Sequence, residues 1–414
     1  AKAHPLTLPP ETTSQDPITV DLDRDLLRNP ARVEIFWAQL ARWPDALRGW
    51  VGAGEGGGPH VMNTDLLPLR SDTLARLSAA GRAGRAVQIR SGAHPDLAAR
   101  IADRLGSDGP GAAAQGFGPG VQAGPLLAAL RPHQWLKNLL VFLPMLAAHR
   151  LDAETLLQSG LAFAAFCLVA SSVYVLNDLI DLSADRTHPR KRRRPFASGS
   201  LPIVAGHWIG PLLLAAGAAI AVGLGGEFVL LLGSYYVVTL AYSLVLKRLL
   251  VIDICMLAGL YTLRIMAGAA AAGINLSVWI LAFSIFFFFS LAAVKRQAEL
   301  VDSSSRGELG ASGRGYRVGD LPLISQMATS SGYVSVLIMA LYVNSPQVRD
   351  LYQKPSALWG ICLVLLFWIS RMVMVTHRGK MNDDPVVYAA KDPVSLLCVA
   401  LIVTSTVLGA LLNG

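Results

Sequence analysis

The stretch Val173–Pro195, VYVLNDLIDLSADRTHPRKRRRP, opens as an apolar helix, acquires three aspartates and closes in a dense basic run. Asp178, Asp181 and Asp185 stand at i, i+3 and i+7, so a continuous helix holds them within about 60° of one another. Three carboxylates on one face repel, and at the boundary of a membrane span an unpaired cluster is costly. A divalent cation removes that cost. Carboxylates with open water positions are how Mg2+ is commonly held, with substrate phosphates completing its shell. The bland alternative is a solvated helix end, salt-bridged to the Lys and Arg that follow; the regular spacing at the inner end of a span weighs against it.

The rest of the chain supports a bilayer setting. Of 414 residues, 53% are hydrophobic and only 15% charged, and mean hydropathy is positive, a balance that excludes an ordinary soluble enzyme. Nine apolar helices are expected at 134–149, 155–178, 202–223, 227–246, 250–272, 277–294, 322–343, 356–375 and 393–412. The fold class is thus an all-α polytopic membrane protein of nine transmembrane helices, preceded by a small degenerate α/β domain. Connections on one side carry about 17 Lys and Arg, those on the other about 3. The positive-inside rule makes the N-terminus and every chemically rich loop cytoplasmic, at a bacterial plasma membrane. No nucleic-acid partner is expected, and a homo-oligomer is compatible with the reading.

Residues 1–16 read as a flexible tail without a secretion signal, 17–106 as an α/β segment, 107–124 as a Gly-rich linker and 125–414 as the membrane domain. Cys167, Cys255, Cys362 and Cys398 lie in apolar runs without metal or redox spacing, and read as small core residues. In the α/β segment, ITVDLDRDLL is a short strand ending at Asp21 and Asp23, and GRAVQIRSG a second strand reaching Ser91. These pieces resemble the start of a haloacid-dehalogenase-like domain, in which the first Asp is a nucleophile and the second a general acid/base. Arg24-Asp25 replaces the usual Gly-Thr, and no Lys with a downstream acidic pair follows, so the segment reads as degenerate and non-catalytic.

Further polar residues sit where lipid penalises them. RPHQWLKN brings Arg131, Lys137 and Asn138 to the first helix. The fifth carries Asp253, Tyr261 and Arg264; the two charges share a face but stand eleven residues apart, roughly 16 Å along the axis, so each expects another partner. The sixth ends in Lys295, Arg296, Glu299 and Asp302. In the basic run, Lys191 and Arg194 are the expected clamps for metal-bridged diphosphate, the remainder serving topology and lipid headgroups. His133 and His188 read as structural.

NDLIDLSAD followed by RPFASG matches the NDxxDxxxD pattern of the UbiA superfamily of membrane transferases, and the resemblance covers about 125–414. Within it, RPHQWLKN, DRTHPRKRRRPFASG, YTLRIMAGA and KRQAEL are similar to decaprenyl-phosphate phosphoribosyltransferases. That branch transfers 5-phosphoribose from phosphoribosyl diphosphate (PRPP) to a polyprenyl phosphate, with Mg2+. The resemblance implies Asn177, Asp178, Asp181 and Asp185 at the metal–diphosphate site, and Lys137, Lys191, Arg194, Lys247, Arg264, Lys295 and Arg296 around the polar pocket. Tyr261 is taken as substrate-binding. Asp253 is expected to stabilise the cationic anomeric carbon or to hold a ribose hydroxyl. Where aromatic prenyltransferases carry a second Asp-rich motif, this chain reads KRQAELVD. Cations opposite acids suit PRPP, which is phosphorylated at both ends, better than a prenyl diphosphate. Two alternatives stand: a prenyltransferase acting on an aromatic or other small acceptor, and a non-catalytic scaffold or transporter.

Overall fold

A computed structural model describes residues 17–41, 64–83, 85–107, 123–188, 190–310, 314–381 and 384–411. The expected tail at 1–16 and nearly all of the Gly-rich linker fall outside them. The chain divides into two units, one of Ala1–Trp43, Gly57–Ala129 and Asp178–Trp208, the other of Pro44–Gly56, Leu130–Asn177 and Ile209–Gly414.

In the first unit, strand β1 (Ile18–Asp21) pairs in parallel with β2 (Val87–Arg90), Ile18 opposite Val87 and Asp21 opposite Arg90. Helices Ala31–Leu40, Ser71–Arg82 and Pro95–Ser107 accompany the strands. Val20, Leu22, Leu26, Leu69, Leu77 and Ile101 form their shared core, each at most 3% exposed. The carboxylates that close β1 serve local turns. Asp21 Oδ1 accepts from the N–H groups of Asp23 and Arg24 at 3.0 and 2.8 Å, and Asp23 Oδ1 accepts from Ala31 N at 2.5 Å. Residues 178–208 belong to the same unit.

The second unit is helical. Among the described residues of the chain, eight helices are long and apolar enough to cross a bilayer: Ala153–Ile180, Ile203–Leu224, Gly226–Leu244, Ile252–Ala271, Val278–Ser305, Val318–Val343, Pro355–His377 and Pro393–Ala410. They are called here the first to eighth spans. The most apolar windows of the first and fourth spans are 61% buried, against 17% for the second, third and eighth. The former are central, and the latter present side chains such as Leu212, Val222 and Leu230 outward, an arrangement suited to lipid.

The expected helix at 134–149 takes another form. Pro132–Phe142 is a 3-10 helix, Leu143–Ala147 a short α-helix with Pro144 in its first turn, and His149 ends the segment with φ of 53°. Two prolines and a left-handed residue within 18 positions leave no run of α-helix long enough to span. The expected helix at 277–294 instead continues to Ser305, because its last turns contain no helix breaker and its charges find partners. Gly268 in the fourth span admits the backbone of the 3-10 segment: a Cβ there would clash with the carbonyl group of Val141.

Candidate active site

The first span ends at Ile180, two residues after Asp178. Asp181 takes a ψ of 10° at the break, and Leu182–Thr187 starts a new helix. Aspartate favours helix starts over interiors, which accounts for the break at this position. The single continuous helical face expected for Asp178, Asp181 and Asp185 is therefore not formed. Two of the three still meet. Arg194 Nη1 donates to Asp178 Oδ1 at 3.2 Å and to Asp185 Oδ2 at 2.7 Å, and both carboxylates are buried. Asp181 is half-buried at the helix break. Among the described residues no three His, Cys, Asp or Glu side chains gather as a metal site.

Local sequence explains how Arg194 arrives there. It precedes Pro195, a position steered to extended backbone, and adopts φ −61° and ψ 147°. That ends the Lys191–Arg193 turn. Gly199, at φ 81°, then closes the short helix Pro195–Ser198. Burial raises the Asp185 carboxyl above its ordinary range, Arg194 and Lys191 oppose the shift, and Asp181 adds to it. Lys191 is exposed, its N–H directed at His188 Nδ1 at 3.3 Å.

Two buried carboxylates gathered about one cationic nitrogen form a donor set that suits Mg2+, which is usually held by one or two carboxylates and completed by water and phosphate oxygens.

Among the described residues of the second unit, the expected site residues fall into three polar clusters. In the first, Lys137 Nζ and Lys295 Nζ converge on Asp384 Oδ2 at 2.7 and 2.9 Å. Asp384 Oδ1 accepts from Val386 N, capping the helix Pro385–Ala389. Burial alone would raise this carboxyl, but the two lysines outweigh it and hold it well below the usual range. One carboxylate facing two ammonium groups leaves one positive charge over.

In the second cluster, Asp253 is fully buried. Its Oδ1 accepts from Tyr242 OH at 2.8 Å and from Arg314 Nη1 at 2.9 Å, and its Oδ2 lies 2.7 Å from Arg296 Nε. Arg296, 1% exposed, also pairs with Glu299. In the third, Arg264 donates to Asn138 Oδ1, Leu260 O and Tyr235 OH at 2.9, 2.6 and 2.9 Å. Its guanidinium stands 5.6 Å from the ring centre of Tyr261, which stacks on Phe288. Asp253 and Arg264 thus have separate partners. Asn177 donates to Ser243 Oγ at 3.0 Å, and the Lys247 carbonyl accepts from Arg314.

Asp384, Arg314, Tyr235 and Tyr242 were not singled out as site residues by sequence. Asp384 had a visible signal, since an Asp before a Pro marks a helix start. The tyrosines had none, being apolar-helix residues whose hydroxyl partners come from distant segments.

Eight bilayer-length apolar helices among the described residues mark the class as a polytopic membrane protein, with buried carboxylates and cations among its helices and loops. The description "UbiA prenyltransferase family" matches residues 138–308. The chain is 41% identical over 276 residues to nodulation protein NoeC of Azorhizobium caulinodans, covering 66% of this chain and 88% of NoeC. It belongs to the UbiA prenyltransferase family. It is also 41% identical over 180 residues to decaprenyl-phosphate phosphoribosyltransferase of Mycolicibacterium smegmatis, covering 42% of this chain and 57% of that protein. An uncharacterized protein of Sinorhizobium fredii, y4nM, is 37% identical over 284 residues, 68% of this chain and 55% of its own length. The structure of a UbiA homolog from Archaeoglobus fulgidus bound to GPP and Mg2+ superposes with a TM-score of 0.51 at 14% identity, covering 68% of this chain and 99% of that one. The family match leaves residues 17–107 outside it, so the haloacid-dehalogenase resemblance there stays an expectation.

Proposed function

We propose that the protein transfers 5-phosphoribose from PRPP to a polyprenyl phosphate, releasing diphosphate, at the cytoplasmic face of a bacterial plasma membrane. The observation that carries this reading is the convergence of Asp178 and Asp185 on one cation, within a loop dense in Lys and Arg. The similarity to phosphoribosyltransferases supports it.

Asp178, Asp181 and Asp185 would hold Mg2+. The metal supplies charge neutralisation on the departing diphosphate. Arg194 and Lys191 clamp diphosphate oxygens as negative charge builds on them. Lys137 and Lys295, left with one uncompensated positive charge beside Asp384, take a phosphate monoester. Asp253 keeps Arg296 and Arg314 fixed, its own charge being balanced by theirs. The family resemblance also assigns substrate contacts to Asn177, Lys247, Tyr261 and Arg264. The acceptor phosphate is largely ionised at neutral pH, since such esters have a second pKa near 6, so it attacks with little help from a general base.

Purified protein given labelled PRPP and polyprenyl phosphate, and separately a prenyl diphosphate with 4-hydroxybenzoate, tests the reading. Mg2+-dependent labelling of the lipid in the first reaction alone supports it. Product in the second alone assigns prenyl transfer instead, and no product in either leaves the scaffold alternative.

A further inference from the structure

Arg186 directly follows Asp185 in the chain, yet its guanidinium does not join the acidic pair. It is buried in a two-pronged ion pair with Glu34: Nη1 donates to Oε2 and Nη2 to Oε1, both at 2.9 Å, and Nε donates to Ala197 O at 3.3 Å. Both side chains are less than a tenth exposed. Glu34 lies on the helix Ala31–Leu40 of the N-terminal segment, 152 positions earlier. Asn29 secures it, with Nδ2 donating to Glu34 Oε1 at 2.9 Å and Oδ1 accepting from Ile203 N at 2.8 Å. Trp37, one turn on, donates to His207 Nε2 at 3.1 Å. The N-terminal segment thus grips the chain on both sides of the basic run.

A buried guanidinium without a carboxylate is strongly unfavourable. Without Glu34, the nearest anions along the chain for Arg186 are Asp185 and Asp181, the groups a divalent cation needs. We propose that Glu34 is a positioning residue for the acidic loop: it holds Arg186 away from Asp185, so that metal competes with Arg194 alone for the carboxylate pair and not with two guanidiniums. The N-terminal segment, on this account, acts by electrostatic bracing and needs no catalytic Asp of its own. The inference rests on the metal assignment made above, and its test is separable from the transfer reaction.

The probe is Mn2+ with inorganic diphosphate, its binding to the full chain in detergent read by the electron paramagnetic resonance of free Mn2+. Glu34→Leu is expected to weaken binding about tenfold, the scale on which residues that orient metal ligands act. Glu34→Leu with Arg186→Met removes the competing cation and replaces the buried pair by apolar side chains, a change that buried pairs often tolerate. It is expected to restore binding to within about threefold of the native chain. A purely structural pair predicts the reverse order, the double variant binding no better than the single. That result overturns the proposal, as does native-like binding by Glu34→Leu. If Glu34→Leu does not fold, Glu34→Gln takes its place, with an expected loss in the same direction. Rescue without any PRPP turnover sinks only the phosphoribosyl reading. Absence of Mn2+ binding by the native chain sinks both.

Discussion

Lys137 Nζ lies 2.7 Å from Asp384 Oδ2, although 247 residues of chain separate the two. Lys295 reaches the same oxygen, so Asp384→Asn leaves two ammonium groups close together without a counter-ion. The Asp384 carboxyl has a depressed folded pKa. Its contribution is therefore complete above the unfolded value of about 4 and is lost as pH falls through the lower folded value. Denaturation in detergent should show Asp384→Asn less stable than the native chain by about 3 kcal/mol at pH 7. The gap should narrow as the pH drops below about 4.

Asp178→Asn and Asp185→Asn should each lower PRPP-dependent turnover by about a hundredfold or more, the scale of losing a group that stabilises transition-state charge. Melting in detergent should change little, because Arg194 keeps one carboxylate partner in each variant. Near-native rates in both variants would remove these residues from the reaction.

Arg194→Ala takes the shared cation from two buried carboxylates. Without metal, the variant should be destabilised by about 1 to 3 kcal/mol, a loss of several degrees in Tm. Added MgCl2 should raise its Tm more than that of the native chain, since the carboxylates then lack a competing guanidinium. Equal Mg2+ responses in the two proteins would count against a cation site there.

Gly268→Ala drives a methyl group into the Val141 backbone, whose Cα would lie 2.9 Å from the new Cβ. The 3-10 segment must shift, and with it Lys137 and Asn138. A stability loss of about 2 kcal/mol or more is expected, together with a raised KM for PRPP. A native melting curve would show that the close approach is dispensable.

The apolar runs, the loop charges and the NDLIDLSAD motif made the membrane fold and its family legible in the sequence. The runs had to be long to satisfy backbone hydrogen bonds inside lipid, so their length was a direct signal. The departures arose where short-range rules compete. Pro132 and Pro144 turned an expected span into a 3-10 segment, and Asp181 broke a helix that periodicity alone would continue. The acidic residues were visible, but their partners were not. Salt bridges from the following Lys and Arg to the aspartates were a stated alternative, but that Arg194 would reach both Asp178 and Asp185 was not legible, because side-chain pairing depends on a loop path set by Pro195 and Gly199. Asp384 and Glu34 come from segments with no periodic relation to the residues they hold. Long-range pairs of this kind leave no mark on spacing.

The Glu34–Arg186 pair also fixes an order of events during synthesis. Glu34 is made well before its partner, and the whole of the first span is made before Arg186 is added to the chain. The small core around Leu22 and Ile101 can assemble early, but it must wait with an unmatched acid on its flank until the insertion machinery has delivered the following loop. The N-terminal segment therefore gains its last buried ion pair only after the loop that follows the first span has been made.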